Sequence, residues 1–174
     1  EGADFESLFP YMKTVDDYIR NAQRVDTIME LSHFRPTVVG PGWDAYADEL
    51  PLVRFVGQKT IQESLEMTNR SRAVLNPFPG YNDSHERVFN AMACGSAVLS
   101  SRSAFYQSEF SPEDIFFLPN RASDMPSVVA ELLANKDRLR GMAASGHQRF
   151  SRAHTWTHRA RSLAQIGGVL PVGA

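Results

Sequence analysis

The sequence predicts an α/β protein: a Rossmann-like, doubly wound parallel sheet of about five strands, with extra helices at the N- and C-terminal ends. Two observations carry this. Short apolar runs (PTVVG, LVRFVG, AVLNPF, SAVLSS, DIFFLPN) recur along the first two thirds of the 174 residues, and uninterrupted runs of that length mark strands buried on both faces. Between them lie segments with helical spacing of apolar residues, and strands alternating with helices build a parallel sheet.

Taken in order, VDDYIRNAQRVDTIMELS (Val15 to Ser32) places Tyr18, Ile19, Val25, Ile28 and Met29 at helical spacing, with Asp16 and Asp17 in a first turn where they complement the helix dipole. Residues 1–34 are thus a helical lead-in. PTVVG (Pro36 to Gly40) is a first strand stopped by Pro41-Gly42, and LVRFVG (Leu52 to Gly57) a second. Thr60 to Ser71 reads as a helix, AVLNPF as the third strand, and SHERVFNAMACG as a helix ended by its glycine. SAVLSS is the fourth strand and DIFFLPN (Asp114 to Asn120) the fifth. Three helices follow: MPSVVAELLAN, KDRLRGMAASGHQRFSRAH and TWTHRARSLAQIGG, the last with Thr155 as N-cap. Residues 155–174 are a C-terminal helix and tail, and the whole chain, 1–174, is one domain with length enough for a real core.

Composition narrows the function classes. The chain is 43% hydrophobic and 22% charged with a formal net charge of -2, which excludes global disorder and argues against nucleic-acid binding by bulk charge. One cysteine, Cys94, rules out an internal disulfide and any multi-cysteine metal site. No apolar run reaches the roughly 18 residues of a membrane span, so no transmembrane segment is expected, and a cytoplasmic setting is the simplest expectation. The chain does not open with Met, and either a fragment of a longer protein or a processed chain is expected.

Ligands of doubly wound sheets bind beyond the carboxyl ends of the strands. Three loops lie there: GPGWDAYADE, GQKT and PGYNDSHER. In the third, Asp83 or Ser84 is expected to cap the following helix, Asp83 and Glu86 having capping-box spacing. That helix would bury Val88, Phe89, Met92 and Ala93, which leaves His85, Glu86, Arg87 and Asn90 outside the core stripe. A helix N-terminus attracts anions through its N–H groups and dipole. Arg87 and His85 can add donors to a phosphate oxygen, and Asn90 can bond a sugar or ribose hydroxyl. Glu86 as capping partner, Arg87 as surface ion-pair residue and His85 as a structural residue of the helix start are the competing structural readings. Cys94, His154 and Trp156 read as packing residues.

VRFVGQKT, VLNPFP, HERVFNAMACGSAVLSS and HTWTHRA, with VVGPGW before them, resemble the C-terminal domain of GT-B-fold glycosyltransferases, in particular the group related to spore-maturation-type glycosyltransferases. The resemblance implies a domain that binds a nucleotide-sugar donor, a UDP- or GDP-sugar, and needs no metal because helix termini and basic side chains neutralise the diphosphate. It implies donor-binding roles for Gly40, Gly42, Trp43, Gly57, Ser84, His85, Glu86, Arg87 and Asn90, with His85 and Arg87 on the phosphates. Trp43 as a packing anchor and Gly57 as a plain turn stand beside those roles. Retaining relatives carry a Glu-x7-Glu pair where this chain has Asn82 and Asn90. It further implies an N-terminal acceptor-binding domain as partner, without which the chain would bind nucleotide and turn over little. A degenerate, non-catalytic module of the same fold is the alternative. A phospho-receiver domain is disfavoured, because GPGW and NPF stand where its acidic residues belong.

Overall fold

The computed structural model describes residues 4–77 and 84–168. Among them five strands lie where the apolar runs place them: β1 (Thr37–Val38), β2 (Arg54–Phe55), β3 (Ala73–Asn76), β4 (Ala97–Ser100) and β5 (Phe116–Phe117). Every pairing is parallel. The expected single sheet is, however, divided: β1 pairs with β2, and β3-β4-β5 form a second sheet. Two-residue strands offer few ladder bonds. The first pair is prolonged only by Arg54 N–H to the Pro36 carbonyl at 2.9 Å, Val56 to Val38 at 3.1 Å, and Gly40 to Gly57 at 2.8 Å. What joins the two sheets is packing: Leu75 of β3 lies against the small core of Ile28, Val38, Leu50 and Val53.

β4 shows why the apolar runs are continuous. Ala97 and Leu99 point to one face, into a core with Leu118, Met125, Leu132 and Met142. Val98 points to the other, among Val88, Ala91, Met92, Tyr106 and Ile115. Successive side chains of a strand alternate, so a strand covered on both sides must be apolar at every position. Among the described residues seven α-helices supply the cover: α1 (Phe5–Glu30), α2 (Ile61–Asn69), α3 (Glu86–Ala93), α4 (Ala104–Glu109), α5 (Met125–Ala134), α6 (Lys136–Ala153) and α7 (Trp156–Ile166). α3 buries Val88, Ala91 and Met92, so Ala91 rather than Ala93 completes the stripe. α6 passes close enough that a Cβ on Gly146 would sit 2.9 Å from the Asp114 carbonyl oxygen and 3.4 Å from Met92 Cγ. Thr155 is the N-cap residue of α7, but its hydroxyl bonds the His158 ring at 2.7 Å instead of a backbone N–H.

Two sequence expectations are corrected. α1 begins at Phe5, not Val15: Asp4 caps it, accepting the Glu6 N–H. Asp16 and Asp17 therefore lie in mid-helix, where they pair with Arg20 and Lys13 one turn away. α4 has no counterpart in the sequence reading. Ser103 caps it through the Tyr106 N–H at 3.1 Å.

Candidate functional site

The register of β3 against β4 sets Asn76 opposite Ser100 at the carboxyl ends of both strands. Both are fully buried, and a buried amide is tolerated only where it is bonded. Asn76 Nδ2 donates to Ser100 Oγ at 2.9 Å, and the Ser100 hydroxyl donates onward to the Ser101 carbonyl at 3.0 Å. The amide oxygen faces the other way and accepts Arg87 Nη1 at 3.4 Å. A guanidinium in the first turn of α3 is thereby tied to the strand ends.

The start of α3 differs from expectation. The N-cap is His85, whose Nδ1 accepts the Arg87 N–H at 3.1 Å. With the cap at 85 the third helical residue is Val88, so no capping box can form around Glu86. Asp83 and Asn82, together with the rest of 78–83, lie outside the described residues. The His85 N–H is also engaged, donating to the Tyr106 hydroxyl at 2.7 Å. Two of the N–H groups expected to hold an anion thus serve the protein itself, and binding capacity shifts toward side chains. An imidazole that accepts at Nδ1 is neutral and carries its proton on Nε2. Burial first, then the Arg87 charge and Arg24, lower its proton affinity below the ordinary value, against the opposing pull of Glu86.

Arg87 is accessible to solvent, yet the surrounding protein and then Arg24 lower its pKa too. The guanidinium stays charged throughout the physiological range. Arg24 of α1 is half-buried and its charge reaches both His85 and Arg87. This brings three nitrogen-rich side chains, two of them permanent cations, to one corner, with Glu86 the acid beside them. Two permanent cations with one acid beside them leave the corner net positive, which favours an anion there. Asn90 is exposed on α3 one turn beyond Arg87, and Ser84 is half-buried immediately before the cap.

The remaining sequence candidates cluster elsewhere. Gly40 and Gly57 end β1 and β2, bonded to each other at 2.8 Å, with φ of 131° and 65°; an L side chain is strained at either angle. Gly42 precedes the short 3-10 turn Trp43–Tyr46. Trp43 stacks on Phe55 at 6.2 Å between ring centres and packs on the small core. The structure therefore divides the candidates into a charged group at α3 and a glycine-tryptophan group at the end of the two-stranded sheet. Asn76, Tyr106 and Arg24 escaped the sequence reading. Only Asn76 left a signal, as an amide inside an apolar run. Among the described residues no three His, Cys, Asp or Glu side chains gather as a metal site, and no helix is long and apolar enough to cross a membrane.

A family model described as glycosyl transferase-like matches residues 20–165. No curated protein matches the sequence. Among solved structures, sucrose-phosphate synthase from Thermosynechococcus elongatus is similar with a TM-score of 0.72 at 19% identity, over 86% of this chain and 43% of that one. Anabaena HepE in complex with UDP-glucose is similar with a TM-score of 0.64 at 14% identity, over 77% and 40%. A glycosyltransferase from Rickettsia africae gives 0.65 at 10% identity, over 86% and 45%. At these identities the likeness is one of fold, and it covers less than half the length of each of those proteins.

Proposed function

The chain belongs to the glycosyl transferase-like family, and from its geometry we propose that it is the donor-binding part of a nucleotide-sugar-dependent glycosyltransferase of GT-B type. The observation that carries this is Arg87, fixed by buried Asn76 at the carboxyl edge of the sheet and joined there by Arg24 and neutral His85. A diphosphate suits that corner. Arg87 and Arg24 match its charge, while the His85 ring offers an N–H donor. Asn90, further along α3, faces the ribose. The fold it shares with HepE, a protein solved with UDP-glucose, supports a UDP-sugar among the alternatives, and GDP-sugars share the same diphosphate.

In the reaction, the bond from the anomeric carbon to the diphosphate oxygen breaks as a bond forms to an acceptor hydroxyl. Negative charge grows on the departing diphosphate, where Arg87 lowers its energy most. Guanidinium groups in that place make a metal unnecessary, so chelators leave binding unchanged. The acceptor and any general base are assigned to a further domain, because the chain spans under half of its structural neighbours. Alone it binds donor and transfers little.

Calorimetric titration with UDP, UDP-glucose, GDP and a GDP-sugar tests the reading. Saturable binding that disappears in Arg87→Ala is expected. No binding at millimolar concentrations overturns it and leaves the second reading, a non-catalytic module. The feature favouring that second reading is Asn90, an amide where retaining relatives carry an acid.

A further inference from the structure

The opposite edge of the sheet has a hollow that the donor site does not use. Arg72 leads into β3 and Gly95 into β4, so both stand at the amino ends of strands whose carboxyl ends carry Asn76 and Ser100, roughly 13 Å away along the strand. With Lys136, Leu139, Arg140 and Ala143 of α6 they line a half-open hollow of about 430 Å³. A second hollow of about 410 Å³ shares Gly95, Arg140 and Ala143 and continues to Cys94 and His147. The two hollows adjoin at these three residues, the second being shallow, and the first has room for more than a bare ion.

Its charge is one-sided. Arg72, Lys136 and Arg140 come from two elements, in a chain whose net charge is -2. The acid paired with this set is Asp137, 3.5 Å from Arg140, and both side chains are almost wholly in water, where such a pair contributes little. The N-terminus of the eighteen-residue α6 opens at Lys136 and adds its dipole in the same sense. Beneath the cations the floor is apolar: Leu139 is buried in the main core, and Gly95 presents no side chain. We infer that this trough binds a soluble phosphorylated small molecule, its phosphate held by Arg72, Lys136 and Arg140 and its carbon skeleton resting on Leu139 and Ala143. A concave trough with its apolar residues on the floor suits a free molecule rather than a membrane surface.

The test is an NMR titration of the whole chain, in phosphate-free buffer, with phenyl phosphate as probe. Saturable shifts of the Gly95, Arg140 and Ala143 amides are expected. In the Lys136→Gln/Arg140→Gln double variant, whose changed side chains are exposed, affinity should fall at least about tenfold, the scale of a lost charged hydrogen bond. Arg87→Ala should leave these shifts intact, which separates this site from the donor site. Absence of saturable shifts, or shifts undiminished in the double variant, overturns the inference. Inorganic phosphate binding as tightly as phenyl phosphate also overturns it, leaving an adventitious anion only. Co-sedimentation with phosphatidic acid vesicles in place of phenyl phosphate binding would assign the phosphate to a lipid and overturn it as well.

Discussion

The two edges of the three-stranded sheet are both basic, but they hold their charge differently. At the carboxyl edge, Arg87 is anchored through Asn76 and Ser100 to strand ends without solvent exposure, and the helix start is locked by the Tyr106 hydroxyl and the His85 ring. At the amino edge, Arg140 and Lys136 stand in water, and Arg140 makes one weak ion pair with Asp137. The first arrangement fixes donors before a ligand arrives, so less freedom is lost on binding. The second supplies field and little geometry. The difference teaches that a count of cations does not rank two anion sites; what the cations are bonded to does.

The largest expected effect falls on the anchored edge. Arg87→Ala should weaken nucleotide-sugar binding by about 1.5–3 kcal/mol, the value of a hydrogen bond to a charged group, measured by calorimetry. Arg140→Gln should leave that affinity unchanged. Equal losses from both would erase the contrast. Asn76→Leu comes next. It removes the donor to Ser100 Oγ and the acceptor of Arg87 Nη1, and each such hydrogen bond contributes about 0.5–1.5 kcal/mol. Denaturant unfolding should show that loss. Nucleotide affinity should fall as well, since the guanidinium loses its support. Loss of stability with full affinity would make Asn76 a packing residue only.

A good part of this was legible in the sequence, and the reasons it was or was not are physical. β3, β4 and α3 were recognisable because burial on both faces leaves continuous apolar runs, and because a strand-to-helix loop rich in polar residues marks the carboxyl edge. The start of α1 was not: Phe5, Phe9, Tyr11 and Tyr18 are exposed, so the apolar residues there mark no buried face. α4 escaped at six residues, too short for a helical period to show. Asp83 and Ser84 were the natural capping candidates by residue type, yet the cap fell to His85, whose ring reaches the Arg87 N–H. Asn76 and Arg24 join the site through tertiary contact between segments far apart in sequence, and no local pattern carries that.

Acid sharpens the comparison further. His85 is held neutral as an N-cap, with a folded pKa below the ordinary 6.5, chiefly through burial and then Arg87. His154 is lowered as well: it is buried, with Arg159 beside it, while Glu109 at 3.7 Å pulls the other way. A base whose folded pKa is depressed takes up its proton more readily when unfolded. Stability is therefore full above pH 6.5 and is lost as pH falls through the lowered folded values. Thermal melts should show this, and His154→Phe, which leaves an aromatic ring among Phe89, Phe105 and Phe110, should flatten the profile. A wild-type melting temperature unchanged down to pH 5 would contradict it.

Salt separates the edges with the smallest effect. Exposed charges act through solvent and are screened within about 10 Å at 0.1 M salt, whereas bonds at a dry anchor are screened less. The trough's phosphate contacts come from side chains that move freely in water, so its affinity for phenyl phosphate should drop steeply between low salt and about 0.5 M. Nucleotide binding at α3 should lose the long-range share contributed by Arg24 but keep the directed bonds of Arg87. Its slope against salt concentration should be the shallower of the two. Matching slopes in parallel titrations would mean that Arg87 behaves as one more surface cation, and that the Asn76 anchor does not distinguish the two edges.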